Sequence, residues 1–208
     1  APVDEVATRL PVVRINTSGQ NIIDDPRIVA HMGIIYNGPG QVNRPNDPFN
    51  EYDGRITIET RGQSSQMFPK KSYRLETQDS TGANLNIPLL GMPAENDWIL
   101  YAPYSDKSML RNAVTFELGR QLDPYCSRMA YVELYLNNDY RGVYILMEKI
   151  KRDDNRVNIA RLEPHENAGD ELTGGYIFKV DKVDPGDVEG IDWFRSVPDP
   201  SYPNAKNI

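Results

Sequence analysis

Thr60-Arg61-Gly62-Gln63-Ser64-Ser65-Gln66-Met67-Phe68-Pro69-Lys70-Lys71-Ser72-Tyr73-Arg74-Leu75-Glu76 reads as a bend between two strands. Upstream, Arg55 to Thr60 alternates Ile56 and Ile58 with polar residues, and downstream Tyr73 and Leu75 repeat the two-residue period. The bend carries a glycine, two serines and a proline, with four cations close by: Arg61, Lys70, Lys71 and Arg74. Exposed backbone N–H groups and hydroxyls, followed by lysines rising on a strand, can hold several phosphate oxygens at once. A polar hairpin with solvated charges accounts for the same residues, and composition does not separate the two readings.

The chain around this bend has 208 residues, enough for one domain or for one domain and part of a second. A single cysteine, Cys126, excludes an internal disulfide framework. With only His31 and His165 in the chain and neither close to it in sequence, Cys126 reads as structural rather than catalytic. The net charge of −7 argues against a nucleic-acid surface, which needs a broad basic field. Binding one nucleotide needs only a local field, and the cations between Arg61 and Arg74 supply it. No apolar run has the length of a membrane span, and no signal peptide is visible; the Ala1 start fits a processed N-terminus.

Read in order, Leu10 to Ile15 and Ile28 to Tyr36 are strands separated by turn chemistry at Asn16 to Gln20 and at Asp24-Asp25-Pro26. Asp24 and Asp25 are adjacent and diverge, so the proline explains them more cheaply than a metal does. Residues 37–53, rich in Gly, Pro and Asn, form a loop; Leu85 to Gly91 is a short irregular segment, and Asp97 to Tyr101 a buried strand with Trp98 in the core. A helix is predicted from Ser105 or Asp106 to a stop before Asp123-Pro124. Its stripe of Leu110, Val114 and Leu118, widened by Ala113 and Leu122, should face the sheet. Arg111 near its start is disfavoured by the helix dipole, so an anion, either an acidic side chain or a ligand phosphate, should compensate it. Tyr131 to Leu136 and Tyr140 to Met147 form a hairpin through the turn Asn137-Asn138-Asp139. Further on, Tyr176 to Val180 is a strand closed by Asp181, and Asp184 to Ile208, with four prolines, is a loop.

The bend closely resembles the signature of the CotH-type (spore coat protein H) kinase-like family, in which an RGxSS segment runs into PKKSYRLE. Leu110-Arg111-Asn112-Ala113, Val132 to Asn137 with Tyr140 to Tyr144 and Glu148-Lys149-Ile150, and Gly174-Gly175-Tyr176 to Asp181 resemble further blocks of that family. The resemblance implies an α+β fold, a divergent protein-kinase-like fold represented mainly by its antiparallel-sheet small lobe with one packed helix and the hinge. Residues 1–9 would be a tail, 10–183 the kinase-like domain, and 184–208 a loop leading to a missing C-terminal portion.

It also implies ATP and Mg²⁺ as cofactors and phosphate transfer to Ser or Thr of secreted, surface or coat proteins, outside the cell or at its surface. On the matching positions, Arg61, Gly62, Ser64, Ser65, Lys70, Lys71, Arg74 and Arg111 would attend the phosphates. Met147, Glu148 and Lys149 would form the hinge at the adenine edge. Lys71 is in phase with Tyr73 and Leu75 and Lys70 is not, so only one lysine should be essential. By analogy with protein kinases, Glu117 on the helix would pair with it.

The family's catalytic and metal-binding carboxylates lie in D-x-x-x-N-like and W-D-x-D-x-x-x-G-like stretches, which do not occur before Ile208; Asp192-Trp193 reverses the order. Asp181 is a metal-ligand candidate by its place at a strand end and equally a strand stop. The catalytic aspartates are therefore expected after Ile208. The alternative is a non-catalytic structural or adhesion module, with twelve tyrosines and two tryptophans for a protein- or carbohydrate-binding face.

Overall fold

The computed structural model describes residues 7–122 and 125–161, together with 163, 165, 166, 168, 169 and 175–177. The chain divides into two compact units, Ala1–Asn158 and Ile159–Ile208. In the first, the strands are β1 (Val12–Asn16), β2 (Ile28–Ile35), β3 (Tyr52–Arg61), β4 (Ser72–Gln78), β5 (Ile87–Leu89), β6 (Met92–Glu95), β7 (Asp97–Tyr101), β8 (Met129–Leu136) and β9 (Asp139–Glu148). One helix, α1 (Arg111–Leu122), lies between β7 and β8. Seven strands close into a barrel in the order β1-β2-β3-β4-β7-β9-β8, and β5 and β6 pair as a separate hairpin.

Two-residue alternation builds this barrel. Ile56 and Ile58 on β3, Tyr73 and Leu75 on β4, Trp98 and Leu100 on β7, and Tyr144 and Leu146 on β9 all enter one buried cluster, as do Val13 and Ile15 on β1. The intervening residues face outward. Leu89 and Met92 bring the β5–β6 hairpin into the same core. Closure comes from β1, which pairs antiparallel with β2 and parallel with β8 over Val12↔Glu133 to Ile15↔Leu136. The β8–β9 turn locks that seam: the Asn137 N–H donates to Ile15 O at 2.8 Å, and the Asn137 side chain accepts the Thr17 N–H at 2.8 Å. Asn137 and Asn138 have φ of 52° and 65°, as a two-residue hairpin turn requires.

The expected α+β kinase-like fold is not what the chain forms. The described residues make a closed, mostly β barrel with a single helix, not the small lobe of a two-lobed α+β protein. The decisive contact joins residues about 120 positions apart in parallel, and no local periodicity announces it. The helix differs too. Leu110, Val114, Leu118 and Leu122 are 53%, 52%, 55% and 87% exposed, so the stripe faces away from the sheet. Phe116 packs instead, with Tyr101, Met129 and Tyr131 around Ile99, Ile145 and Met147 on the outer barrel wall.

The start of α1 also moves, to Arg111, because Met109 at φ 57° interrupts the helical backbone. Asp106 still serves that end, its Oδ2 accepting the Arg111 N–H at 2.9 Å. Leu85 to Gly91, expected to be irregular, supplies β5. Tyr176 and Ile177 are not in a strand; the rest of the Tyr176 to Val180 segment, Asp181 and the 184–208 loop lie outside the described residues. In the second unit, Arg161 Nε lies 2.7 Å from Glu163 Oε1.

Where β9 leaves the barrel, charged side chains are enclosed. Arg156, 3% exposed, donates to Lys149 O at 2.7 Å and Asp97 O at 2.9 Å, meets Glu95 Oε2 at 3.2 Å, and lies over the Trp98 ring. Glu148 is fully buried, paired with Arg128 Nη1 at 2.7 Å and accepting the Arg128 N–H at 3.0 Å. Lys151 bridges Glu95 at 3.0 Å and Asp97 at 2.9 Å.

Desolvation alone would raise the Asp97 pKa, but the Lys151 hydrogen bond and the charges of Lys149 and Lys151 outweigh it and hold the carboxyl well below its usual range. A depressed folded-state pKa means stability that is present above the unfolded value, near 4, and lost as pH falls. The melting temperature should therefore drop progressively below about pH 5, and Asp97→Asn should flatten that limb in a pH series of thermal melts. An unchanged acid limb in the variant would remove Asp97 from the account.

Candidate functional site

Beside the signature bend, the outer faces of β3, β4 and β7 form a cleft of about 310 Å³. Arg61, Gly62 and Arg74 line it together with Lys149, which follows β9. Ile99 gives it an apolar element, while Asp24, Glu59 and Thr60 complete the wall. The volume stands at the low end of the ~300–1,000 Å³ typical of small-molecule sites. Strand register explains the gathering: Glu59 lies opposite Arg74 and Arg74 opposite Ile99, so successive outward residues on three neighbouring strands share one patch.

The cations there are unequally committed. Arg74 reaches Glu59 at 3.5 Å, Glu76 at 3.3 Å and Asp97 at 3.2 Å, yet its buried Nε has no partner. Lys149 sits 3.4 Å from Asp97. Arg61, exposed at the rim, has no ion pair among the described residues. Desolvation of its guanidinium, and then repulsion from Arg74, lowers its pKa. Two neighbouring guanidiniums, one without a counter-ion, make a place where an incoming anion relieves like-charge repulsion and completes hydrogen bonds.

The bend itself is a short 3-10 turn, Ser64–Met67, that buries none of its residues. Gly62 has φ 103°, and a Cβ there would run into Ser65 Oγ, so the bend needs glycine at this point. The Gln66 amide donates to Asp24 Oδ2 at 2.9 Å and to Gly62 O, drawing the turn down beside the cleft. Both signature lysines turn to protein carbonyls. Lys70 Nζ donates to Val143 O at 2.6 Å and lies 4.5 Å from the centre of the Tyr144 ring, where burial lowers its pKa. Lys71 Nζ donates to Gln66 O, at the end of the exposed turn.

Of the residues picked out by sequence, the cleft brings together Arg61, Gly62, Arg74 and Lys149, with Ser64 and Ser65 in the adjoining turn. Lys70, Lys71, Arg111, Met147 and Glu148 are not among its lining residues. Arg111 finds its anion in Asp106, at 3.8 Å, while four-fifths of its side chain stays exposed. Met147 packs in the apolar cluster beneath α1, and Glu148 is enclosed with Arg128. Glu117 pairs with Arg120 on its own helix rather than with a signature lysine. Glu59 and Ile99 were not picked out, although their outward phase on the strands was an available signal, and Asp24 was weighed only as a metal ligand and set aside in favour of a proline turn.

The profile of the CotH kinase protein family matches residues 58–207, which begin within β3 and include the bend, β4 and everything after them. The chain belongs to the CotH kinase family. No curated protein matches it. In this CotH kinase family member, the matched signature is the same segment that borders the cleft. Among the described residues no three His, Cys, Asp or Glu side chains gather as a metal site. Nor is any helix among them long and apolar enough to cross a membrane.

Proposed function

We propose that this chain supplies the phosphate-gripping part of an ATP-dependent phosphotransferase acting on Ser or Thr of secreted, surface or coat proteins. The observation that carries the reading is the pair of guanidiniums at the cleft: among the described residues Arg61 has no counter-ion and Arg74 has a buried, unpartnered Nε. Membership of a kinase family supports reading the anion as the polyphosphate of a nucleotide. Arg61 and Arg74 would hold phosphate oxygens by charge-assisted hydrogen bonds, Gly62 would let the ligand approach the backbone, and Ile99 would lie against its apolar part. Mg²⁺ would arrive on the nucleotide.

A thermal-shift series with adenosine, AMP, ADP and ATP tests the reading, because a ligand bound by the native state raises apparent stability in proportion to its affinity. Stabilisation should increase with each phosphate and weaken with added salt. Equal or absent shifts across the series favour a non-catalytic module on the same scaffold. One observation supports that second reading: Glu59, Glu76 and Asp97 already neutralise much of Arg74.

The two lysines should separate in the same assay. Lys70→Ala removes a cation–π contact with Tyr144 and a part-buried hydrogen bond to the Val143 carbonyl. It should lower the melting temperature by about 2–4 °C, the equivalent of ~1 kcal/mol for a chain of this size, with the ATP-induced shift retained. Lys71→Ala should leave the melting temperature near wild type, since it removes only a hydrogen bond to the exposed turn, and should also retain the ATP shift, because Lys71 does not line the cleft. A shrunken ATP shift in either variant would place phosphate on that lysine.

A further inference from the structure

Arg27 does not line the cleft, yet it grips two of the three carboxylates that surround Arg74. It directly precedes β2, and the register Ile28↔Ile58 sets it beside Glu59, the residue opposite Arg74. Arg27 Nε lies 3.1 Å from Glu59 Oε2, and its Nη1 pairs with Glu76 Oε1. Arg74 meets the same two residues from the other side, at Glu59 Oε1 over 3.5 Å and at Glu76 Oε1 over 3.3 Å. On Glu59 the Arg27 contact is the shorter. Burial alone would lower the Arg27 pKa, but its hydrogen bonds to Glu76 and Glu59, with their charges, outweigh that and raise it. Asp97, the third carboxylate at Arg74, is shared in the same way, with Lys149 at 3.4 Å and Lys151 at 2.9 Å. The Arg27, Glu59 and Glu76 side chains are 23%, 15% and 16% exposed, so solvent screens their charges only in part.

We propose that Arg27 is a positioning residue for anion binding in the cleft: by balancing Glu59 and Glu76 it leaves the Arg74 guanidinium able to receive phosphate oxygens. This role rests on the anion-binding reading of the cleft, and it accounts for an anion site that keeps three carboxylates around its arginine. Without Arg27, both glutamates turn their whole charge on Arg74. An incoming phosphate then competes with them for one guanidinium and meets the uncompensated charge of Glu59 in the cleft wall. Arg27 acts through those two carboxylates, because it is not itself among the residues that line the cleft.

Isothermal titration calorimetry with ATP and with inorganic tripolyphosphate tests the assignment on wild type, Arg27→Ala, Glu76→Gln and the double variant. Arg27→Ala is expected to weaken both ligands about tenfold. Glu76→Gln alone should change affinity by less than about threefold, and in the Arg27→Ala background it should restore most of what was lost. Recovery of that kind cannot come from a misfolded protein. Unchanged affinity in Arg27→Ala overturns the proposal while leaving the nucleotide reading in force. So does an equal effect of Glu76→Gln in both backgrounds, which would mean that Arg27 contributes only its general field. Tripolyphosphate bound and weakened as described, with ATP not bound, sinks the nucleotide reading and supports the role of Arg27. A wild-type protein that binds neither ligand overturns both.

Discussion

Arg156→Ala is expected to lower the free energy of unfolding by about 3–5 kcal/mol, the cost of breaking a buried ion pair from one side. The substitution removes more than one charge. Arg156 donates to the Lys149 and Asp97 carbonyls, meets Glu95 and lies over Trp98, and the variant leaves these acceptors enclosed without a donor. Glu95 and Glu148 then face each other's field with only Lys151 and Arg128 to balance them. Marginal stability is typically ~5–15 kcal/mol, so such a loss takes a large share of it. Urea denaturation followed by circular dichroism measures it directly, and a loss below about 1 kcal/mol would show that the network is solvated rather than structural. Arg156→Lys should recover only part of the loss, since a single ammonium cannot replace a planar fork serving several acceptors.

Arg61→Ala is the second large effect, and it should fall on binding alone. Arg61 is exposed, has no ion pair among the described residues and repels Arg74, so its removal should leave the melting temperature of the free protein within a degree or two of wild type. A charge-assisted hydrogen bond to phosphate is worth about 1.5–3 kcal/mol, so ATP affinity should fall roughly 10- to 100-fold, with a shallower dependence on salt. Isothermal titration calorimetry gives both quantities. The contrast with Arg156 is informative because both residues are arginines: one serves the fold and the other, on this account, the ligand.

The sequence announced the local pieces of this molecule and not their closure. Alternation located β2, β3, β4, β7 and the β8–β9 hairpin to within a few residues, and the two asparagines of its turn have the positive φ that asparagine tolerates. The barrel was hidden because β1 completes it through a parallel pairing with β8, a contact that depends on the whole chain's geometry. The helix shows the converse. Its apolar stripe was plain in the sequence, but Leu110, Val114 and Leu118 face outward while Phe116, off the stripe, anchors it. An amphipathic pattern says that a face exists, not which neighbour receives it.

The candidate site was legible in part for the same reason. Arg61, Gly62 and Arg74 belong to one continuous stretch, so reading the bend found them. Lys149 was picked out for a different role, at the end of a strand, and reached the cleft across the sheet. Lys70 and Lys71 carried the most weight in the sequence, yet their ammonium groups meet Val143 O and Gln66 O. A side chain of that length can turn either way from its Cα, and periodicity reports only the Cβ. Glu148 and Arg156 could not be recognised as a buried network, because charged residues at a strand end ordinarily lie in water.

A crystal structure of the protein with a non-hydrolysable ATP analogue tests the central claim most directly. The account predicts phosphate oxygens within about 3.2 Å of guanidinium nitrogens of both Arg61 and Arg74, in the cleft beside Gly62. Phosphates bound elsewhere on the barrel, with only solvent between Arg61 and Arg74, would contradict it.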